Sequence, residues 1–136
     1  MKQMIKTIFL VLLLGCQPQE GKVNKDKLIE LTNKYFSVFS EKNIDVLSSM
    51  FSEDVVLRDW ENSHQGKEAV VKANKAIFDS VKTIHVTTKN MVVGELEVAA
   101  EIEVNINDSE VRLLVTDVLS FNSELKIKSV RAYKGN

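Results

Sequence analysis

One cysteine, Cys16, and two histidines, His64 and His85, are all the chain offers a soft or borderline metal. A lone cysteine excludes an internal disulfide and any cysteine-rich metal site. Histidines this far apart, with no carboxylate at ligand spacing beside them, do not form a metal motif. No serine or cysteine nucleophile motif, glycine-rich phosphate loop or cofactor fingerprint occurs, so neither a metal nor a cofactor is expected. Repeats and low-complexity tracts are missing as well. Charge of either sign is not in excess: 18 basic and 19 acidic residues leave −1. No stretch is strongly basic, so nucleic acid is not an expected partner. What is present is 136 residues of near-average apolar and charged content, enough for one globular domain with a substantial core.

The first sixteen residues stand apart from that domain. Lys2 and Lys6 precede Ile8-Phe9-Leu10-Val11-Leu12-Leu13-Leu14, an apolar run too short to span a bilayer but suited to a secretory signal. The run ends in Leu13-Leu14-Gly15-Cys16, which resembles the lipobox of bacterial lipoproteins. The resemblance implies cleavage before Cys16 and lipidation of its thiol. Residues 1–15 are therefore expected to be a lipoprotein signal peptide, 16–23 a lipidated polar tether, and 24–136 the folded domain. Gln17 stands where an aspartate often retains lipoproteins at the inner membrane, so the expected location is the outer membrane of the cell envelope, facing the periplasm.

Hydrophobic periodicity organises the rest. Helices are expected over Asn24 to Lys42, with Leu28, Leu31, Tyr35, Val38 and Phe39 on one face; over Ile44 to Phe51; and over Lys67 to Val81, with Val70, Ala73, Ile77, Phe78 and Val81 inward. Asn24 or Asp26 suits the start of the first helix and Asn43 its stop. Ser52-Glu53-Asp54 reads as a turn into a short strand ending at Asp59-Trp60, and Glu61 to Gly66 as a polar loop. Strands follow over Thr83 to Val93, Leu96 to Ile106, Val111 to Phe121 and Lys126 to Tyr133, with Asn107-Asp108-Ser109 as a hairpin turn. The order α-α-β-α-β-β-β-β, with helices first and antiparallel strands last, argues an α+β domain.

Two acids interrupt apolar stripes. Val111, Leu113, Val115, Asp117, Leu119 and Phe121 share one face of their strand, and Val55, Leu57 and Asp59 share a face of theirs. A carboxylate on an inward face must be paired, hydrogen-bonded or neutral, which makes each a candidate functional group. His64 is expected to face water, and His85 to lie on the less apolar side of its strand. Arg58 and Arg131 are expected to form surface pairs with sheet acids such as Glu101 or Glu103. Leu114, Thr116 and Val118 make a partly apolar patch on the opposite face of the sheet.

This element order, with Asp117-Val-Leu-Ser-Phe121 and Lys126-Ile127-Lys128-Ser129-Val130-Arg131-Ala132-Tyr133 at the end, resembles the nuclear transport factor 2-like superfamily, which includes the SnoaL-like cyclases and the ketosteroid isomerases. Asn43-Ile44-Asp45 followed by Met50-Phe51-Ser52-Glu53-Asp54-Val55, and Gly66-Lys67-Glu68-Ala69-Val70, carry the same resemblance. It implies a cone of three helices on a strongly curved, mostly antiparallel sheet, with an apolar pocket at one end. It also implies a homodimer through the outer sheet face, with a different protein on that face as the alternative. Ketosteroid isomerases use a helix tyrosine, an aspartate base after the first strand and a protonated aspartate on the penultimate strand. Tyr35, Asp59 and Asp117 fill those positions as the implied catalytic set. Phe39, Trp60, Val115 and Leu119 are the expected pocket walls, Trp60 either at the rim or packed on the third helix. The expected function is binding of a small apolar molecule. The alternatives are proton transfer with Asp59 as base and Tyr35 and Asp117 as oxyanion donors, or a protein-interaction domain whose interior is filled by its own side chains.

Overall fold

The computed structural model describes residues 22–136; the expected signal peptide, Cys16 and most of the expected tether lie outside the described residues. The elements are α1 (Lys25–Ser40), α2 (Ile44–Met50), β1 (Phe51–Arg58), β2 (Ser63–Gln65), α3 (Lys67–Ser80), β3 (Ile84–Val93), β4 (Glu97–Ile106), β5 (Val111–Phe121) and β6 (Ile127–Lys134). Three helices pack on one six-stranded sheet of order β2-β1-β6-β5-β4-β3, in which β1 and β6 run parallel and every other pair antiparallel. The fold is the expected α+β one.

Three register shifts bend the sheet: between Phe51 and Val56 on β1, between Thr88 and Asn90 on β3, and at Lys128 on β6, which is skipped between the Ser120–Ser129 and Phe121–Ile127 pairs. An unpaired extra residue kinks its strand and increases local twist, so the face under α1 and α3 becomes concave. The β4–β5 turn has Asn107, Asp108 and Ser109 all at positive φ, a conformation Asn and Asp tolerate better than most residues. It is tied down by Lys82 N–H donating to Asn107 Oδ1 at 2.8 Å and Asp108 N–H donating to Thr83 Oγ1 at 2.9 Å.

Helix ends follow local chemistry. Asn24 caps α1 by accepting from Asp26 N–H at 2.9 Å. Asn43, expected as the stop of α1, is instead the cap of α2 and accepts from Val46 N–H; α1 ends at Ser40 with Glu41 as its cap. Lys42, at φ 53, sends its ammonium to the carbonyls of Phe78, Val81 and Lys82 at the end of α3, where a cation suits the exposed carbonyls and the helix dipole.

Two expected loop segments are strand instead. Ser52-Glu53-Asp54 is not a turn: β1 begins at Phe51 directly after α2, because this stretch runs extended beside β6, with the Ser52 hydroxyl near Ile127 O at 3.3 Å. The segment from Glu61 to Gly66 is not all loop: Ser63–Gln65 forms β2, pairing antiparallel with Val56–Arg58. That edge strand has no apolar alternation to announce it, and His64 sits in it half-buried opposite Leu57.

The outer sheet face is charged and partly apolar. Arg131 pairs with Glu97 at 2.7 Å, and Arg58 donates to the Tyr133 hydroxyl at 2.8 Å, so neither arginine takes Glu101 or Glu103. Glu103 instead holds Arg112 at 2.7 Å and Lys89 at 3.4 Å. The Arg112 hydrogen bond, then that from Asn105, hold the Glu103 carboxyl down at about 2. Register explains the exchange: Asn105 stands opposite Arg112, while Arg131 stands opposite Val118, two residues along β5 from the Glu97–Ser120 pair and on the same face.

Candidate functional site

The concave face of the sheet is not filled. A cavity of about 230 Å³ lies between it and the helices, with Tyr35, Asp59 and Asp117 all on its wall. Around them the lining is apolar, with Phe36 and Phe39 from α1, Ile77 from α3, and Leu57, Ile102, Val115 and Val130 from the sheet.

Asp117 reaches this wall by strand alternation. On β5 the buried inward residues are Val115, Asp117 and Leu119, with half-buried Thr116 and Val118 outward. Its partners across the sheet are Ala100 on β4 and Ala132 on β6. Two methyl groups offer no hydrogen bond and little bulk, so the acid is desolvated yet has space above it. Burial accordingly raises the Asp117 carboxyl from 3.8 to about 7. Desolvation disfavours the charged form and nothing nearby compensates for it.

Tyr35 is 3% exposed on the inward face of α1, its ring tilted against Phe36, Phe39 and Phe51 with centroids 5.4 to 6.3 Å away. Burial first, then the negative charge of Asp117, push its phenol well above the ordinary tyrosine value. It is therefore a permanent hydrogen-bond donor near neutral pH.

Asp59 is half-buried just past the end of β1. Its Oδ1 accepts from Glu61 N–H at 2.7 Å and Asn62 N–H at 2.6 Å, and its own N–H donates to Asn62 O at 3.0 Å. This Asx-type turn reverses the chain into β2 and fixes the carboxyl at the cavity. The register of β1 against β6 runs Leu57 to Val130 and Arg58 to Arg131. One step further brings Asp59 level with Ala132, which is the partner of Asp117. The two acids thus sit two strands apart on one face, roughly 10 Å between Cα atoms at ordinary strand spacing, with only a methyl group between them.

The expected pocket walls divide. Phe39 and Val115 line the cavity, Phe39 with its ring edge-on to Phe78 at 5.0 Å. Leu119 does not; it is fully buried two residues beyond Asp117, in the packed end of the core. Trp60 lines the rim at 45% exposure, below the Lys134 ammonium at 5.9 Å from its ring, rather than packed in the core against the third helix. The Asp59 turn carries it outward immediately after β1.

Asn74 joins the site although it is not among the residues expected from the sequence. It lies on α3, 2% exposed, and also lines the cavity. Its place between the apolar positions Val70 and Phe78, one turn away on either side, was the available signal. Among the described residues, Arg131 Nε is the one fully enclosed side-chain polar atom without a hydrogen-bond partner. The Tyr35 hydroxyl, the Asp117 carboxyl and the Asn74 amide oxygen also have no hydrogen-bond partner among the described residues, but none is fully enclosed, and all three residues border the cavity.

Chemically, this wall presents a donor phenol, an acid poised between its two forms near neutrality, a second carboxyl in a wetter setting, and a buried amide. Among the described residues no three His, Cys, Asp or Glu side chains are grouped to hold a metal ion.

Comparison with known proteins places this architecture. The family model described as SnoaL-like domain matches residues 32–130. No curated protein matches the chain. Among solved structures, the epoxide hydrolase/cyclase-like enzyme SalBIII of pyran ring formation in the polyether salinomycin is similar at TM-score 0.72 and 18% identity, covering 82% of this chain and 93% of that one. A putative ketosteroid isomerase from Kribbella flavida is similar at TM-score 0.68 and 14% identity, covering 82% and 80%. A protein of unknown function with a cystatin-like fold from Methylobium petroleophilum is similar at TM-score 0.73 and 12% identity, covering 85% and 80%. At these identities the likeness is one of fold.

Proposed function

We propose, since the chain belongs to the SnoaL-like domain family, that its cavity binds a small apolar molecule through a carbonyl oxygen that accepts from Tyr35 and protonated Asp117. The observation that carries this reading is Asp117 itself, buried between two alanines on an apolar wall with its carboxyl raised to about 7. An acid kept neutral in an apolar site is a donor, and a donor without a protein partner suits an oxygen acceptor. Size narrows the ligand. A dry cavity of about 150 Å³ accepts benzene, so the space here suits one or two fused rings.

Titration calorimetry with tetralone tests the reading. The native domain is expected to bind it below pH 7, and to lose roughly tenfold in affinity for each unit above, as the protonated fraction falls. Tyr35→Phe, which keeps the ring and deletes the donor, is expected to cost roughly tenfold. Binding that ignores both pH and Tyr35 contradicts the proposal.

A second reading is proton transfer. It is favoured by Asp59, a carboxyl held by two N–H groups on the same wall but at the wetter mouth. Asp59 would take a proton from the carbon beside the carbonyl and return it elsewhere, while Tyr35 and Asp117 donate to the enolate oxygen.

The domain is further proposed to hang from the bacterial envelope by a lipid on Cys16, supported by the Leu13-Leu14-Gly15-Cys16 motif. Cys16→Ser is expected to shift the full-length chain from the membrane to the soluble fraction and to abolish incorporation of labelled palmitate. An unchanged distribution rules the anchor out.

A further inference from the structure

Asn74 is a buried polar side chain on the cavity wall. It occupies the middle of the buried stripe of α3, between Val70 at 0% and Phe78 at 4% exposure, where an apolar residue would seal the cavity wall. Its amide nitrogen donates to Val70 O at 2.9 Å. A carbonyl can only accept, so the nitrogen is the atom facing Val70 and the oxygen faces the other way. That oxygen has no partner among the described residues, is not fully enclosed, and belongs to a residue on the cavity wall. Leaving a nearly buried acceptor unmatched is costly unless something else supplies the hydrogen.

The placement of the polar groups gives the chemistry of that something. Tyr35 and Asp117 come from α1 and β5, whereas α3 packs over β1 and β2. Donors therefore enter the cavity from one pair of elements and the acceptor from another. We infer that Asn74 selects a cyclic ketone bearing a second polar group, a hydroxyl or N–H, whose hydrogen is donated to the Asn74 amide oxygen. This rests on the carbonyl-binding reading above and adds the substituent that reading leaves open. Asn74 then sets specificity and takes no part in moving a proton. A ligand with an ether in place of the hydroxyl would present an acceptor to an acceptor and be rejected.

Binding of hydroxytetralone, methoxytetralone, tetralone and naphthol is measured on the native domain and on Asn74→Leu, at about pH 5 where Asp117 is neutral. Native protein is expected to prefer the hydroxyl over the methoxyl compound by roughly tenfold, the size of one hydrogen bond. Asn74→Leu is expected to erase that preference, read as the ratio of the hydroxyl to the methoxyl affinity within each protein so that any change in binding of the shared ring system cancels. No preference in the native protein, or a preference that survives Asn74→Leu, overturns the inference. If no ketone binds, naphthol decides, since it carries a hydrogen to donate and no carbonyl. Naphthol bound by native protein and lost in Asn74→Leu upholds Asn74 while the carbonyl reading falls. Naphthol bound by neither, or equally by both, overturns Asn74 too. Asn74→Ala removes the amide without adding bulk and gives the same comparison should the leucine variant fail to fold.

Discussion

Asp117→Asn is expected to make the domain more stable at pH 8 and to flatten its stability between pH 4 and 7. The acid titrates near 4 in the unfolded chain and at about 7 in the folded one. Below pH 4 both states hold the proton and the neutral side chain sits in the core at little cost. Between the two values the unfolded chain releases a proton that the folded chain keeps, so stability falls as pH rises. Above 7 both are ionised and the loss is complete, on the order of 4 kcal/mol at 1.36 kcal/mol per unit. Asparagine has nearly the same shape and no charge to bury, so the variant escapes this loss. Glu103, held down from 4.5 to about 2, changes stability only below about pH 5 and so does not mask a comparison of pH 5 with pH 8. Urea unfolding at pH 5 and pH 8 reads the effect as midpoints at constant slope. The native protein should be the less stable at pH 8 and the variant nearly indifferent; parallel pH profiles would falsify the burial argument. Stability gained by removing one polar group is the usual mark of a side chain retained for function.

The second large effect concerns Asp59. If the cavity moves protons, Asp59→Asn should slow exchange of the α-hydrogens of bound tetralone with deuterated solvent by 10² to 10⁴, the usual share of a positioned base. The substitution is a clean one structurally. Asparagine keeps an Oδ1 able to accept from Glu61 and Asn62 N–H, so the turn and β2 should persist and binding should change little. Exchange is followed by proton NMR, with the melting temperature as a control. A native protein that binds tetralone and exchanges nothing leaves a binding domain and removes the catalytic reading. Exchange that survives Asp59→Asn assigns the base elsewhere.

What the sequence made legible was whatever depends on local period. Alternation over Val111–Phe121 and Glu97–Ile106 gave both strands and their inward faces, Asp117 included. The i, i+3, i+4 pattern gave α1 and α3 nearly to their ends. What it hid depends on distant pairing. That Ala132 separates Asp59 from Asp117 follows from the parallel β1–β6 register, joining segments some seventy residues apart. Ser63–Gln65 becomes a strand because the Asp59 turn lays it along β1, not because its residues prefer to be extended. Leu119 and Val115 look equivalent by alternation, yet one is sealed in the packed core and the other borders the hollow. A polar residue such as Asn74 inside an apolar stripe was visible, but only the unmatched oxygen gives it meaning.

Carbonyl binding in the cavity turns on a single proton: Asp117 must hold one in the folded domain where ordinary aspartates have lost theirs. Carbon-13 NMR of labelled aspartate carboxyls, with the Asp117 signal assigned by its loss in Asp117→Asn, reads this directly. The expected titration midpoint is about 7, moving higher when tetralone is added. A midpoint near 4, the range of a solvated aspartate, indifferent to ligand, would contradict it.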